Sequence, residues 1–345
     1  MKKRDAYARA GVDVRRVKGI QRSLAATLES TFSARRGRVG FPVMGIGHYA
    51  GLIDLGDGRA LAMHTDGVGT KVQVALLMRK FDTVGIDCVA MTVNDLICLG
   101  CEPLALLDYL ALEQEDEFLV SEVMKGLVAG AREAETAIVG GETAVMGEMV
   151  KGFDLVSMGV GVVDRDRVLD GSKLRRGDRV VGVASSGLHS NGYTLARKVL
   201  LKNHDVGDYV PELGKTLGEE MLTPTRIYVK PVLEALGRFD LHAIGHITGG
   251  SFTKLKRLPG EKRLGFDLKL PRVPPVFRLI QKEGRLTDKD MLSTFNMGVG
   301  LCVCVSEGDA QELADHFSKR GFPSSVIGSL VPGGRVRVDS VFLSD

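Results

Sequence analysis

The chain has 345 residues, room for one to three domains, with two the natural expectation. It is 44% hydrophobic and 26% charged, which excludes a disordered or fibrous chain and fits a globular protein with buried cores. A net charge of +3, without a basic block or an aromatic-studded basic face, is too weak to point to nucleic acid, so no such partner is expected.

Residues 1–14, "MKKRDAYARAGVDV", carry positive charge with no apolar run behind it. No stretch approaches the ~20 apolar residues of a membrane helix, so no membrane partner is expected. Residues 13–30 place Val14, Val17, Leu24 and Leu28 at helical spacing. "GLIDLGDGRALAMHTDG" predicts two strands joined at Asp57-Gly58, and "KVQVALLMRK" an amphipathic helix. "DTVGIDCVAMTVNDLICLG" is a long apolar helix ending at Gly100. The strand "PLALLDYLAL", a helix at 117–134 and the strands "TAIVGG" and "FDLVSMGVGVV" follow.

Residues 164–178, charged and aperiodic, are the candidate linker between domains at 1–165 and 175–345. Beyond them come the strand "RVVGVAS", the helices "NGYTLARKVLL" and "TRIYVKPVLEAL" and the strand "LHAIGHIT". A helix at 274–283, the strand "GVGLCVCV", a helix at 309–320 and two strands within 323–343 complete the chain. Mixed hairpin and crossover connections in both halves predict an α+β class, not a doubly wound parallel sheet.

The five cysteines, an odd count in a chain too long to need stapling, suggest reduced thiols and a cytoplasmic location. "CLGC" (98–101) lacks a clear second ligand pair for zinc and reads as two inward thiols at a helix end. "LGKTLG" (213–218) contains G-K-T, but Tyr209 stands where a P-loop needs glycine. Gly45 and Gly47 of "GIGHYAG" could offer bare backbone N–H groups to phosphate, although taken alone a loop or bulge is the better reading.

Charged and small polar residues recur at the ends of apolar segments. Asp66 follows a strand and precedes Gly67, Gly69, Thr70 and Lys71. Asn94 and Asp95 interrupt an apolar helix, and Glu142 follows the strand "TAIVGG". A carboxylate in an apolar helix, as Asp95 is, is costly unless paired or bound to a cation, and three carboxylates at three such segment ends raise the prospect of Mg²⁺ beside a phosphorylated substrate. In the second half, "SSGLHSNG" (185–192), "HITGGSF" (246–252) and "TFNMGVG" (294–300) are small-residue turns at strand ends, suited to anions or to plain capping.

"HTDGVGTK", "GIDCVAMTVNDL", "VGGETA", "SSGLHSNGY", "TPTRIYVK", "HAIGHITGG" and "TFNMGVG", in this order, closely resemble the phosphoribosylformylglycinamidine cyclo-ligases, and "YARAGVDV" resembles their N-terminal signature. The resemblance covers nearly the whole chain. It implies two mixed α/β-layer domains, the first closing a β-barrel across a homodimer. It implies ATP and Mg²⁺, and ring closure of formylglycinamidine ribonucleotide to aminoimidazole ribonucleotide with release of ADP and phosphate. It makes Asp66, Asp95 and Glu142 candidate metal ligands, and Gly45, Gly47, Gly67, Gly69, Thr70, Lys71 and Asn94 candidate nucleotide contacts. Ser186, Ser190, Asn191, Thr248, Gly249 and Gly250 become candidate substrate contacts, with Asp66, Asp95 and His189 the catalytic candidates. The chain departs from the family's pattern at "GIGHYAGL", at Leu188 and at Ser251, where a third glycine is common. A small-molecule kinase of the wider superfamily and a non-catalytic ATP-binding dimer are the rival readings.

Overall fold

The computed structural model describes residues 10–11, 14–258 and 263–343, so most of the N-terminal signature at 7–14 lies outside the described residues, as do the side chains of Val14 and Val17. Helix α1 (Val14–Glu29) precedes a five-stranded sheet of β1 (Gly51–Asp54), β2 (Arg59–Gly67), β3 (Glu102–Leu112), β4 (Ala137–Val145) and β5 (Phe153–Asp164). Its order is β1-β2-β5-β3-β4, antiparallel except for the β3–β4 pair. Helices α2 (Val72–Met78), α3 (Asp82–Ile97) and α4 (Glu117–Glu133) lie between these strands in the chain. Among the described side chains of α1, Ile20, Leu24 and Leu28 are exposed and do not join the core.

A second sheet combines β6 (Arg179–Ala184), β9 (Ala243–His246), β10 (Leu264–Leu268), β11 (Val299–Val305), β12 (Ser324–Pro332), β13 (Val336–Val338) and β14 (Val341–Leu343), while β7 (Tyr209–Val210) and β8 (Lys215–Thr216) form a separate ribbon. The seven-stranded order is β14-β13-β10-β12-β6-β11-β9. Helices α5 (Tyr193–Leu200), α6 (Leu217–Met221), α7 (Val229–Leu236), α8 (Pro275–Gly284), α9 (Asp288–Thr294) and α10 (Ala310–Lys319) complete a mixed α/β fold. Among the described residues, no helix is long and apolar enough to cross a membrane.

The period-two pattern of β5 turns Phe153, Leu155, Ser157, Gly159 and Gly161 inward. A Cβ on Gly159 would lie 2.5 Å from Thr92 Cγ2, so the missing side chain lets α3 lie close on the sheet. The outward residues of the sheet are also apolar: Met63, Leu107, Tyr109 and Met158 are each more than a third exposed, and edge strand β4 is exposed along almost all its length.

Several segments differ from expectation. The helix expected over 225–236 begins only at Val229, because Thr225 and Tyr228 give their N–H groups to Asp87 Oδ1 (2.7 Å) and Asn94 Oδ1 (2.9 Å). The Gly-Lys-Thr of "LGKTLG" enters β8, and Thr216 caps α6 in a capping box with Glu219. Strand β10 and helix α9, five and seven residues long, are too short to leave a clear period in the sequence.

Helix α3 is buried nearly all round, which explains its unbroken apolar character. Asp87, Met91, Asn94 and Asp95 share one face of it, spaced i, i+4, i+7, i+8, and that face meets the second half of the chain. Asp87 Oδ2 pairs with Lys71 Nζ at 2.7 Å with both side chains fully buried, and Asp87 Oδ1 also accepts from Thr225 Oγ1 at 2.6 Å. Lys71 further donates to the carbonyls of His189 (3.1 Å) and Thr223 (2.7 Å). The Asn94 amide donates to Arg226 O at 2.8 Å. Two expected nucleotide contacts are thereby corrected. Lys71 spends its three donors on Asp87 in the first half and on two carbonyls of the second, and Asn94 gives its amide to the second half.

Replacing Lys71 with Met would leave Asp87 Oδ2 buried without a partner, a loss of about 3–5 kcal/mol when one member of a buried pair is removed. Urea unfolding should register that drop. A variant of native stability whose ATP KM alone rises would return Lys71 to the nucleotide loop.

Candidate active site

The alternation of β2 puts His64 and Asp66 on the face that looks at α3, where Asp95 waits one turn beyond Met91. His64 Nε2 lies 3.3 Å from Asp95 Oδ2 and 4.0 Å from Asp66 Oδ2. One ligand atom from each of the three falls within 4.8 Å of the others. Asp66 Oδ1 accepts from Gly67 N at 2.8 Å, which orients the carboxylate. From the second half, His246 at the end of β9 contacts Asp95 Oδ1 through Nδ1 at 2.7 Å and is fully buried. Tyr49 reaches over from the first half, with its hydroxyl donating to His246 O at 3.4 Å. Lys254 donates to Thr248 Oγ1 and lies 5.8 Å over the Tyr49 ring.

Burial works against charge on Asp95, but the His246 hydrogen bond and the nearby Lys254 and His64 charges outweigh it, so its pKa lies below the ordinary carboxylate value. Burial likewise opposes protonation of His64, yet the Asp66 and Asp95 carboxylates prevail and raise its pKa. For His48, next to Tyr49, burial and the Arg257 charge outweigh the Asp170 and Asp95 carboxylates and bring its pKa down to about 4, and neither ring nitrogen has a hydrogen bond. The result is a compact anionic centre where the two halves meet, with one cation on its second-half side.

The structure groups some expected residues here and disperses others. Asp66, Asp95 and Thr248 belong to the cluster or touch it. Gly67, Gly69 and Thr70 form its outer turn, with Gly69 at φ +68° and Thr70 Oγ1 3.1 Å from Thr194 Oγ1 across the halves. Asn191 contacts Met91 of α3, and a Cβ on Gly249 would meet Asn191 Oδ1 at 3.0 Å, so these two face each other beside α3. Gly250, at φ +83°, turns the chain into the short helix that carries Lys254. Ser251 follows at φ +49°, a costly angle outside glycine, and its Oγ donates to Phe295 O at 2.6 Å. Gly45 and Gly47 flank Ile46, whose N–H donates to Glu29 Oε1 at 2.7 Å; both glycines are exposed.

Three expectations are corrected. Glu142 does not join the metal set. It stands three strand spacings from β2, roughly 14 Å, and on the opposite face, because its neighbour Gly141 is the residue facing Asp108 on the Asp66 side. His189 is not poised for proton transfer. It is 1% exposed, accepts from Ser186 N at Nε2 (3.2 Å), and burial holds its pKa well below the usual value. Ser186 and Ser190 use their hydroxyls within the loop layer, on Pro224 O (2.5 Å) and Thr225 Oγ1 (3.1 Å).

Sequence reasoning singled out none of His64, Lys254 and His246. His64 had a legible signal, the i, i+2 spacing to Asp66 on one strand. Lys254 had none, because a short helical turn rather than periodicity directs it to the site. All five cysteines are free and buried, and burial pushes Cys88 and Cys101 up to about 12.

Residues 47–163 match the family described as AIR synthase related protein, N-terminal domain, and residues 175–341 its C-terminal domain. The chain is 47% identical to the phosphoribosylformylglycinamidine cyclo-ligase of Thermococcus kodakarensis over 97% of this chain and 98% of that one. It is 43% identical to the enzyme of that name from Methanosarcina acetivorans over 98% of both chains. In fold it is similar to a thiamine-monophosphate kinase from Stenotrophomonas maltophilia, at TM-score 0.63, 20% identity and 90% and 94% coverage of the two chains. It is also similar to a hydrogenase maturation protein solved in complex with ATP, at TM-score 0.61, 20% identity and 82% and 84% coverage. Identity above 40% along almost the full length of both chains, with both domain families matched in order, makes this chain a member of the phosphoribosylformylglycinamidine cyclo-ligase family.

Proposed function

We propose that the protein closes the imidazole ring of aminoimidazole ribonucleotide, using ATP and formylglycinamidine ribonucleotide and releasing ADP and phosphate, in purine biosynthesis. Full-length identity to enzymes named for this reaction carries the reading. The carboxylate pair Asp66–Asp95, set where two loop-rich halves meet, supplies chemistry that suits it. The two domains, 1–165 and 175–345, would face each other across the substrate cleft.

Ring closure must expel the formyl oxygen, which leaves poorly as hydroxide. Attack of that oxygen on the γ-phosphorus of ATP forms an O–P bond and releases ADP. The amidine nitrogen, held beside the formyl carbon, then forms the new C–N bond as the C–O bond breaks and phosphate departs. Tethering makes that second step intramolecular, which removes much of its entropic cost.

Asp66 and Asp95, with His64 beside them, fit a divalent cation: three donors of suitable type converge, and the Asp66 Oδ2 side is left free by the Gly67 hydrogen bond. Mg²⁺ bound there would offset charge on the transferring phosphoryl group. The turn at Gly67 and Gly69 lets backbone approach the polyphosphate closely, and Lys254 brings a positive charge from the second half. Asn191, Thr248 and Gly249 would position the ribonucleotide from that half. In this reading His189 stays neutral and fixes the 186–189 loop.

The label position tests the chemistry. With ¹⁸O in the formyl group, the isotope should emerge in inorganic phosphate with ADP as the other product. Label in water, or AMP and pyrophosphate, would exclude this route.

The same reading includes a homodimer through the first sheet, whose open face could thereby close into a barrel. The apolar outer face of that sheet and the exposed edge of β4 support it, since both are liabilities in a free monomer. Light scattering at micromolar concentration should give twice the chain mass, and Tyr109→Lys or Met158→Lys should halve it. An active monomer would contradict the assembly.

A further inference from the structure

We propose that His64 is a third protein ligand, beside Asp66 and Asp95, in the divalent-cation site, and that it shifts the preference of that site from Mg²⁺ toward Mn²⁺. The inference rests on the functional reading that a cation binds between the two carboxylates. It adds a nitrogen donor, which a carboxylate-only site for a hard cation does not need.

Geometry comes first. His64 and Asp66 project from the same face of β2, and Asp95 approaches from α3, so the three donors come from two elements packed rigidly together. His64 Nε2 lies near one oxygen of each carboxylate, 3.3 Å and 4.0 Å away. Donors bound at about 2.1 Å to one ion stand about 3.0–3.4 Å apart, so the Asp95 distance already matches and the Asp66 distance needs only a small closure.

The donors are also available. His64 Nε2 is buried and has no hydrogen-bond partner of acceptable geometry, although two carboxylates lie near it. Asp66 Oδ1 is committed to Gly67 N, leaving Oδ2 for an ion. Asp95 Oδ1 is committed to His246 Nδ1, leaving Oδ2 on the His64 side. His246 thus acts on Asp95 as outer partners act on metal ligands, fixing which oxygen is presented.

Chemistry then separates the cations. Mg²⁺ favours oxygen donors and keeps much of its water, whereas imidazole favours the later divalent ions. A site of two carboxylates and one imidazole still admits Mg²⁺, but it gains from the nitrogen only with a softer ion. An imidazolium bridging the two carboxylates in the absence of metal is the competing arrangement, and it predicts no nitrogen–metal bond at all.

The test loads the whole protein with Mn²⁺ without nucleotide and records pulsed electron paramagnetic resonance. A directly bound imidazole gives ¹⁴N modulation on the Mn²⁺ signal. The proposal expects that modulation in the wild type and its loss in both His64→Asn and His64→Gln. It also expects Mn²⁺ affinity to fall at least tenfold in these variants, with Mg²⁺ affinity changing less than threefold. Bound Mn²⁺ without nitrogen modulation, or with modulation that survives both substitutions, would overturn the role of His64 while leaving the carboxylate site standing. No bound Mn²⁺ or Mg²⁺ at millimolar concentration would overturn the cation site itself. A wild-type spectrum without nitrogen modulation overturns the role of His64 even where a variant fails to fold.

Discussion

One face of helix α3 governs the molecule. Asp87, Asn94 and Asp95 are almost completely removed from water, where an unpartnered charge or amide would be prohibitive. Each finds its partners in segments distant in the chain: Asp87 with Lys71 and Thr225, Asn94 with Arg226 and Tyr228, Asp95 with His64 and His246. Because the partners come from both halves, satisfying this helix fixes how the halves meet. Hydrophobic packing supplies the stability of α3, but these polar bonds select a single docking geometry.

That geometry also makes the site. Asp87 and Asn94 are used up in holding segments 223–228 against α3, and Asp95, on the same face, is left with one carboxylate oxygen turned toward β2. The same helix therefore serves as clamp at one end and, in the proposed function, presents a candidate ligand at the other. Lys71 shows how closely the two roles lie in the chain. It sits five residues after Asp66 in a turn that resembles a phosphate loop, yet its ammonium points into the clamp. The turn itself, at Gly67, Gly69 and Thr70, stays at the surface beside the carboxylates.

Most elements of the fold were legible because their patterns were strong. The alternation of "FDLVSMGVGVV" and the unbroken apolar run of 82–97 each specify one element and one mode of burial. The site was legible in part. Asp66 and Asp95 stood out as carboxylates at the ends of apolar segments, and they meet. Glu142 carried the same local signal but occupies the other face of the sheet, a distinction set by strand order and register. His189 and Asn94 looked like functional polar residues and proved to be satisfied or desolvated groups at the junction. Local sequence shows that a polar residue is unusual, but whether it faces a partner, an ion or solvent depends on contacts across some 150 residues of chain, as between Asp95 and His246.

Asp95 gives the most direct test of the central claim, that the end of α3 beside the clamp is catalytic machinery. Asp95→Asn keeps the size of the side chain and an acceptor for His246 Nδ1 while removing the charge. Turnover of formylglycinamidine ribonucleotide with ATP should then fall by at least about 100-fold, a loss of about 2.7 kcal/mol of transition-state stabilisation, with the melting temperature moving only a few degrees. A wild-type rate accompanied by a marked fall in melting temperature would contradict the claim and make Asp95 one more strut of the clamp.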